Sequence, residues 1–270
     1  VDLPTPSGAA ALDHQLQQSV RLTTARDRDV ERVGPFVATF DPHTDHPYLS
    51  YAIPDDGARP QPGDVAALAA AFRRRGRRPR LEYLPAVAPA VEAALLAGGF
   101  ALEARLAVMT CVPGDAEAVP APPGIAVAAP ATDADLLGLS RAQRAAFGVG
   151  DEPASDDDAQ AADEVARRRA ALAAGGLALV ARDETTGAIV GGGVTTVPAG
   201  GVSELAGIGV LASHRRRGIA AALTAGLARA AFAAGQQLVW LTPGDDGAHR
   251  VYARAGFADR IEMVHISMDG

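Results

Sequence analysis

The sequence predicts an α/β chain built as two modules. Three observations carry that reading. After residue 123, strand-like and helix-like segments alternate. A proline-rich break at 113–123 (PGDAEAVPAPP) divides the 270 residues into parts of about 110 and 150, each near domain size. A shift of 157 residues lays the later half of the first part over the end of the second.

The elements of the second part follow in order. Residues 124–129 (GIAVAA) are short and apolar and read as a strand. Leu136, Leu137, Leu139 and Ala145 give 133–147 a helical spacing, and the Ala- and Arg-rich 158–174 is a second helix. A three-strand meander comes next, at 177–182, 188–197 and 203–211, with turns at 183–187 and 198–201. An Ala-rich helix then runs from about 218 to 234, and Gly235 has the position of its C′ residue. A strand at 238–241, a helix at 246–255 and a strand at 262–268 complete the chain. In the first part a helix is expected at 64–75, with strands at 81–84 and 105–110. The resulting division is a tail at 1–18, a first module at 19–112, a linker at 113–123 and a second module at 124–270.

Composition excludes several classes of function. Apolar residues make up 48% and charged residues 21%, which is globular rather than disordered. The net charge of −7 argues against coating nucleic acid or an anionic membrane. Every base is arginine, because the sequence contains no Lys; it also contains no Asn. A catalytic lysine, in a Walker-type loop or a Schiff base, is therefore excluded. A single cysteine, Cys111, excludes internal disulfides and cysteine-rich zinc sites. The six histidines form neither HxH nor HExxH, so no metal is expected. No apolar run approaches the roughly 20 residues that cross a bilayer, and no leader is visible, so a cytoplasmic protein is the default expectation.

The most informative segment is 208–223, IGVLASHRRRGIAAAL. A strand ends near Leu211 and a helix begins near Gly218, with Arg215, Arg216 and Arg217 at the helix mouth. The first N–H groups of a helix have no internal partner, and the macrodipole makes that end positive. Gly218 and Ala220 allow close approach to the backbone. Such a turn suits a pyrophosphate. Downstream stands a second cluster, Tyr252-Ala-Arg-Ala-Gly256-Phe257.

Together these segments resemble the GNAT acyltransferase family, whose loop has the form V-x-P-x-x-(Q/R)-x-x-G-x-(G/A). Val210, Arg215, Gly218 and Ala220 stand at the matching spacing, with Ala212 where the family often has Pro. The resemblance implies two GNAT-like modules, each a mixed, mostly antiparallel central sheet flanked by helices. It implies acetyl-CoA, or another acyl-CoA, as cofactor. The cofactor-binding residues it implies are Ile208, Gly209 and Val210, with Leu211, for the pantetheine arm. Arg215, Arg216, Arg217, Gly218, Ile219 and Ala220 would hold the pyrophosphate. Tyr252 would protonate the departing thiolate, and Glu204 is the candidate base for the acceptor amine. One departure is Asp245, where the family often has an Asn touching the cofactor; a carboxylate there repels phosphates but accepts hydrogen bonds. The implied reaction is direct attack of a primary amine, on a small molecule or peptide, through a tetrahedral intermediate. Alternatives are O-acylation, decarboxylation or a CoA sensor without turnover. Cys111 lies outside the motif-bearing module, against a covalent route. Neither nucleic acid nor membrane is an expected partner, and the chain is expected as a monomer or homodimer.

The acids of 150–158 (GDEPASDDD) read either as an attractor for a cationic acceptor or as a solvated loop capping the next helix. The first part resembles the later half of a second GNAT module whose chemistry is gone. Leu95 stands at the position of Tyr252, and Ala58-Arg-Pro-Gln-Pro-Gly63 at that of Arg215–Ala220. Pro60 and Pro62 have no N–H to offer a phosphate. This module is expected to be a non-catalytic companion that shapes the acceptor site. Its arginine run at 72–80 reads as a solvated helix end paired with acids, given few aromatics for base stacking.

Overall fold

The computed structural model describes residues 8–26, 28–42, 46, 48–148 and 158–269. Helix α1 (Gly8–Thr24) leads into strands β1 (Asp29–Val33), β2 (Phe36–Phe40) and β3 (Tyr51–Pro54). Helix α2 (Pro62–Arg74), strand β4 (Arg80–Tyr83), helix α3 (Val91–Ala97) and strand β5 (Ala101–Cys111) follow. Next come β6 (Ile125–Ala128), helices α4 (Asp133–Phe147) and α5 (Asp158–Ala173), and strands β7 (Ala178–Asp183), β8 (Ile189–Thr195) and β9 (Val202–Val210). A 3-10 turn (Ala212–His214) joins β9 to α6 (Ile219–Ala233). The chain ends with β10 (Leu238–Leu241), α7 (Asp246–Ala253) and β11 (Ala258–Ser267).

By internal contacts the chain forms two compact units. One comprises residues 1–108 and 259–270, the other residues 109–258, so Cys111, expected outside the second module, instead lies in the second unit, in the core with Leu205 and Val239. The last strand therefore counts with the first unit, although its place in the chain put it at the end of the second module.

In the first unit, β1, β2 and β3 form an antiparallel series. β3 is parallel to β4, and β4 is antiparallel to β11. α2 places Val65, Leu68, Ala69 and Phe72 on one buried stripe, the i, i+3, i+4, i+7 spacing of an amphipathic helix. Val65, Leu68 and Phe72 of that stripe pack with Leu81, Tyr83, Leu95 and Ile266 in one core. Residues 8–18, assigned above to a tail, instead belong to α1, which buries Leu16 and Val20. The Gln17 side chain accepts a hydrogen bond from the Leu84 backbone N–H at 3.0 Å, tying α1 to the end of β4. The arginine run is paired rather than free: Arg74 and Arg75 reach Glu31 at 2.9 and 3.2 Å. Arg80 departs from the solvated reading. It is 2% exposed and held by Glu82 and, at 2.9 Å, by Glu103, because a guanidinium is tolerated inside only when paired.

In the second unit, β6, β7, β8 and β9 form an antiparallel meander. β10 is parallel to β9 and antiparallel to residues 109–111 of β5. Successive residues of a strand face opposite sides. Gly192 faces Leu139 of α4, and Gly193 faces Leu227 of α6, so the two helices cover opposite faces of β8. Thr132 caps α4, its hydroxyl accepting from the Asp135 N–H at 3.2 Å. Residues 113–123 have no regular secondary structure, as four prolines dictate. They are docked, not loose: the Glu117 N–H donates to the Ala255 carbonyl at 3.2 Å, and Ala116 and Val119 pack on the unit's core.

Candidate functional site

The site is built on the second half of β9. β10 pairs with β9 only as far as Trp240 opposite Glu204, yet β9 continues to Val210. Glu204 thus marks a fork, beyond which β9 has no register partner in β10. On the other side β9 keeps its pairing with β8, as far as Val210 opposite Gly191.

One irregularity decides which amides reach the open edge. Gly192 pairs with Gly209 while Val194 pairs with Ala206, so β9 holds one residue more than β8 between these points. That is a β-bulge. Gly207 lies in it with φ +61°, where side chains are strained, and a Cβ there would collide with Gln143 Nε2. After the bulge, the Leu211 N–H donates to the Val190 carbonyl of β8 at 2.9 Å. Backbone groups alternate along a strand, so the amides at 208 and 210 face away from β8, towards the fork. Sequence reasoning named Ile208, Gly209 and Val210 together and missed Gly207. Glycines inside a strand pattern were the available signal.

The turn after β9 sets the mouth of α6. Arg215 Nε donates to the Val210 carbonyl at 3.1 Å, and its NH2 donates to the Ala146 carbonyl of α4 at 2.8 Å. Arg215 therefore stitches the turn in place. Arg217 reaches the Pro123 carbonyl at 3.3 Å. Arg216 has φ +62°, a left-handed conformation that side chains rarely hold. Gly218 is the N-cap at φ +89° and offers no side-chain cap; the first turn of α6 contains no acid. The N–H groups of Ile219 and Ala220 lie in that first turn, where a helix has no internal acceptor for them. Just before the arginines, His214 Nε2 sits 3.3 Å from an Asp183 carboxylate oxygen at the end of β7. Backbone hydrogen bonds from Thr186, with His214 next, hold that carboxyl below its usual range.

Tyr252 lies on α7, half-buried, and packs against the same core as Ile208 and Leu205 of β9. Burial, and secondarily the Asp245 carboxylate, push its phenol above the ordinary tyrosine value. Asp245 is the N-cap of α7, its carboxylate accepting from the Ala248 N–H at 2.7 Å. Glu204 is half-buried, and its backbone is tied to Thr196: Thr196 N–H donates to the Glu204 carbonyl at 2.8 Å, and Glu204 N–H to the Thr196 hydroxyl at 2.9 Å. The structure thus gathers Glu204, residues 208–210, the 215–220 mouth and Tyr252 in one unit. The acidic segment 151–157 lies outside the described residues. Among the described residues, no helix is long and apolar enough to cross a membrane.

Residues 139–257, which hold all of these groups, match the acetyltransferase (GNAT) family. The chain therefore carries a GNAT-family acetyltransferase domain, an acyltransferase, in its second unit. Similar solved structures extend the likeness beyond that domain. A GCN5-related N-acetyltransferase from Kribbella flavida is 28% identical, with a TM-score of 0.77 over 98% of this chain and 97% of that one. A GCN5-related N-acetyltransferase from Sphaerobacter thermophilus is 19% identical, with a TM-score of 0.62 over 98% and 93%. A tandem GNAT protein from the clavulanic acid biosynthesis pathway is 14% identical, with a TM-score of 0.63 over 98% and 89%. The last two share the fold. No curated protein matches the sequence.

Proposed function

We propose that the second unit transfers an acyl group, most simply acetyl, from acyl-CoA to a primary amine of a small molecule or peptide. The observation that carries this reading is the fork: β9 leaves β10 at Glu204 while remaining paired to β8, directly ahead of an uncapped, acid-free helix mouth. Backbone donors on one strand edge suit the amide-rich pantetheine arm. A helix N-terminus preceded by three arginines suits the pyrophosphate.

Each residue then has a task. The N–H groups of Ile219 and Ala220, with the positive end of α6 and Arg216 and Arg217, bind the phosphates. Arg215 keeps the turn shaped for them. The amides of Ile208 and Val210 bind the arm and polarise the thioester carbonyl, where fixed donors act best because they need no reorganisation. Gly209 between them lets the end of α4 pack close to β9, because a Cβ there would lie 2.8 Å from the Ala146 Cβ. Asp245 stands beside this path as the cap of α7, so its carboxylate is spent on a helix end rather than directed at phosphate. The amine acceptor must lose a proton before attack, and Glu204 at the fork takes it, directly or through a water. The amine nitrogen bonds to the carbonyl carbon, the carbon–sulfur bond breaks, and Tyr252 gives the departing thiolate its proton. A phenol held protonated by burial suits that last step.

The test is a screen of primary amines with acetyl-CoA, reading CoA release. Turnover with at least one amine class, lost in Tyr252→Phe, supports the reading. Acetyl-CoA binding without turnover on any amine would replace it with a sensor. No acetyl-CoA binding at all would remove both.

A further inference from the structure

The bulge in β9 raises a physical problem that residues outside the strand solve. A bulge takes a residue out of the ladder and leaves its backbone groups to find other partners. Here the Gly207 carbonyl accepts a hydrogen bond from the Gln143 side-chain amide, Nε2, at 2.8 Å. Gln143 is in α4 and only 9% exposed. Its other end is also fixed: Oε1 accepts from Arg168 of α5 at 2.7 Å.

The two ends of a glutamine amide are nearly alike in shape but opposite in hydrogen-bonding role. An arginine can only donate, so Arg168 requires the oxygen on its side and leaves the NH2 group for the carbonyl. Arg168 is itself held by Glu164, whose Oε1 accepts from Arg168 Nε at 3.0 Å and from the Ser140 hydroxyl at 2.6 Å. Oε2 accepts from Arg167 at 2.8 Å. Burial pushes the Glu164 carboxyl up, but hydrogen bonds from Ser140, Arg167 and Arg168 outweigh it and bring it down to about 2. A continuous chain therefore runs from Glu164 through Arg168 and Gln143 to the bulge.

We infer that Gln143 is a positioning residue for the acyl donor: it holds the β9 bulge in the register that turns the amides at 208 and 210 to the open edge, with Arg168 fixing the sense of its amide. This rests on the acyl-CoA reading above. Without the bulge, strand alternation would turn the amide at 209 to the open edge instead of those at 208 and 210. Gln143 touches no reacting atom in this scheme. Its effect passes through the Gly207 carbonyl.

The consequence is selective for one half of the donor. The bulge shapes the contact with the pantetheine arm, whereas the mouth of α6 binds the phosphates. The test uses the full chain and two probes, acetyl-CoA and adenosine 3′-phosphate 5′-diphosphate, which carries the phosphates but lacks the arm. Gln143→Met removes both hydrogen bonds at similar volume. Gln143→Glu keeps the acceptor for Arg168 but presents an acceptor to the Gly207 carbonyl. Both are expected to raise the acetyl-CoA Kd by about tenfold, the scale of one lost buried hydrogen bond, and to leave the nucleotide Kd within about twofold. Arg168→Met frees the amide to turn over and is expected to raise the acetyl-CoA Kd by about threefold, again without moving the nucleotide. Equal weakening of both probes would reveal a merely structural role and overturn the inference, as would no change in either. If Gln143→Met fails to fold, Gln143→Glu and Arg168→Met decide the matter by the same ratio. If the wild-type chain binds neither probe, the acyl-CoA reading itself has failed, which is a separate outcome.

Discussion

The mouths of α6 and α2 occupy equivalent positions in the 157-residue repeat, and they treat the same helix-end potential in opposite ways. At α6, the N-cap is a left-handed glycine without a side-chain cap, no acid stands in the first turn, and arginines precede it. At α2, Pro62 is in the first turn, and the Asp64 carboxylate accepts from the Gln61 N–H at 2.8 Å. The positive end of α2 is thus answered by the chain's own carboxylate. That of α6 is left for something else. Arg59 stands at the position of Arg216, so one charge remains in the first copy, but only Arg216 among the described non-glycine residues has a positive φ. The lesson is that one helix–strand scaffold can carry two different helix ends. Burial of the apolar stripe maintains the helix, while a few residues at its end decide whether it can receive an anion.

The largest expected effect separates Tyr252 from its counterpart Leu95. Tyr252→Phe keeps the packing and removes the proposed proton donor, and kcat is expected to fall on the order of a hundredfold with little change in Tm. Leu95 is fully buried, so Leu95→Ala is expected to cost about 2–5 kcal/mol of stability and to leave the acetyl-CoA Kd unchanged in the folded fraction. The pH profile sharpens this contrast. Because burial and Asp245 raise the Tyr252 pKa, its protonated, donating form persists above the pH at which a free tyrosine ionises. No loss of kcat from this group is expected below about pH 10. A wild-type basic limb well below that pH, absent in Tyr252→Phe, would contradict the assignment.

The next effect tests the two mouths directly. Ala220→Asp places a carboxylate in the first turn of α6, one position before the equivalent of Asp64 in α2. Acids at this end favour a helix, so Tm should hold, while the acetyl-CoA Kd rises by an order of magnitude or more through charge repulsion and lost amide access, as on the order of 1.4 kcal/mol per decade requires. A smaller effect is expected at Arg216. Arg216→Gly relieves a left-handed side chain, with a gain of up to about 1 kcal/mol, and weakens acetyl-CoA binding several-fold at low salt and less at high salt. Thermal melts beside titrations at two ionic strengths check both parts.

Much of this comparison was legible in the sequence. Helical periodicity placed α4 at the same bounds the structure shows, and β10 likewise. α6 differs by a residue at each end. Local pattern carries such elements because each buries its own stripe. Three features were not legible, for different reasons. α1 has buried residues Leu16 and Val20 at helical spacing, but they are diluted by Gln and Ala, so the segment read as a tail. The bulge at Gly207 is a mismatch between two strands, which one strand's pattern cannot show. The partner of β11 was hidden by the repeat itself. β5 and β11 occupy equivalent positions, and the pattern does not state that β4 pairs with β11 while β10 pairs with β5. The candidate site residues were chosen from the sequence by type alone. The tasks of Arg215 as a stitch and Asp245 as a cap needed the structure.

The smallest effect decides which difference separates the two mouths. Asp64→Ala removes the carboxylate from α2 and exposes the Gln61 N–H. It is expected to cost about 0.5–1 kcal/mol, the usual scale of a lost helix-end acid or cap. If charge alone separated the two mouths, this variant, combined with Ala220→Asp to disable α6, would acquire binding of adenosine 3′-phosphate 5′-diphosphate. We expect none. Pro60 and Pro62 still lack the N–H groups a phosphate needs, and Gln61 as N-cap has an extended backbone (φ −88°), not the left-handed turn that Gly218 makes. Binding at α2 in that double variant would show that one carboxylate was the whole difference. Its absence places the difference in the backbone, where no single side-chain substitution at α2 would remove it.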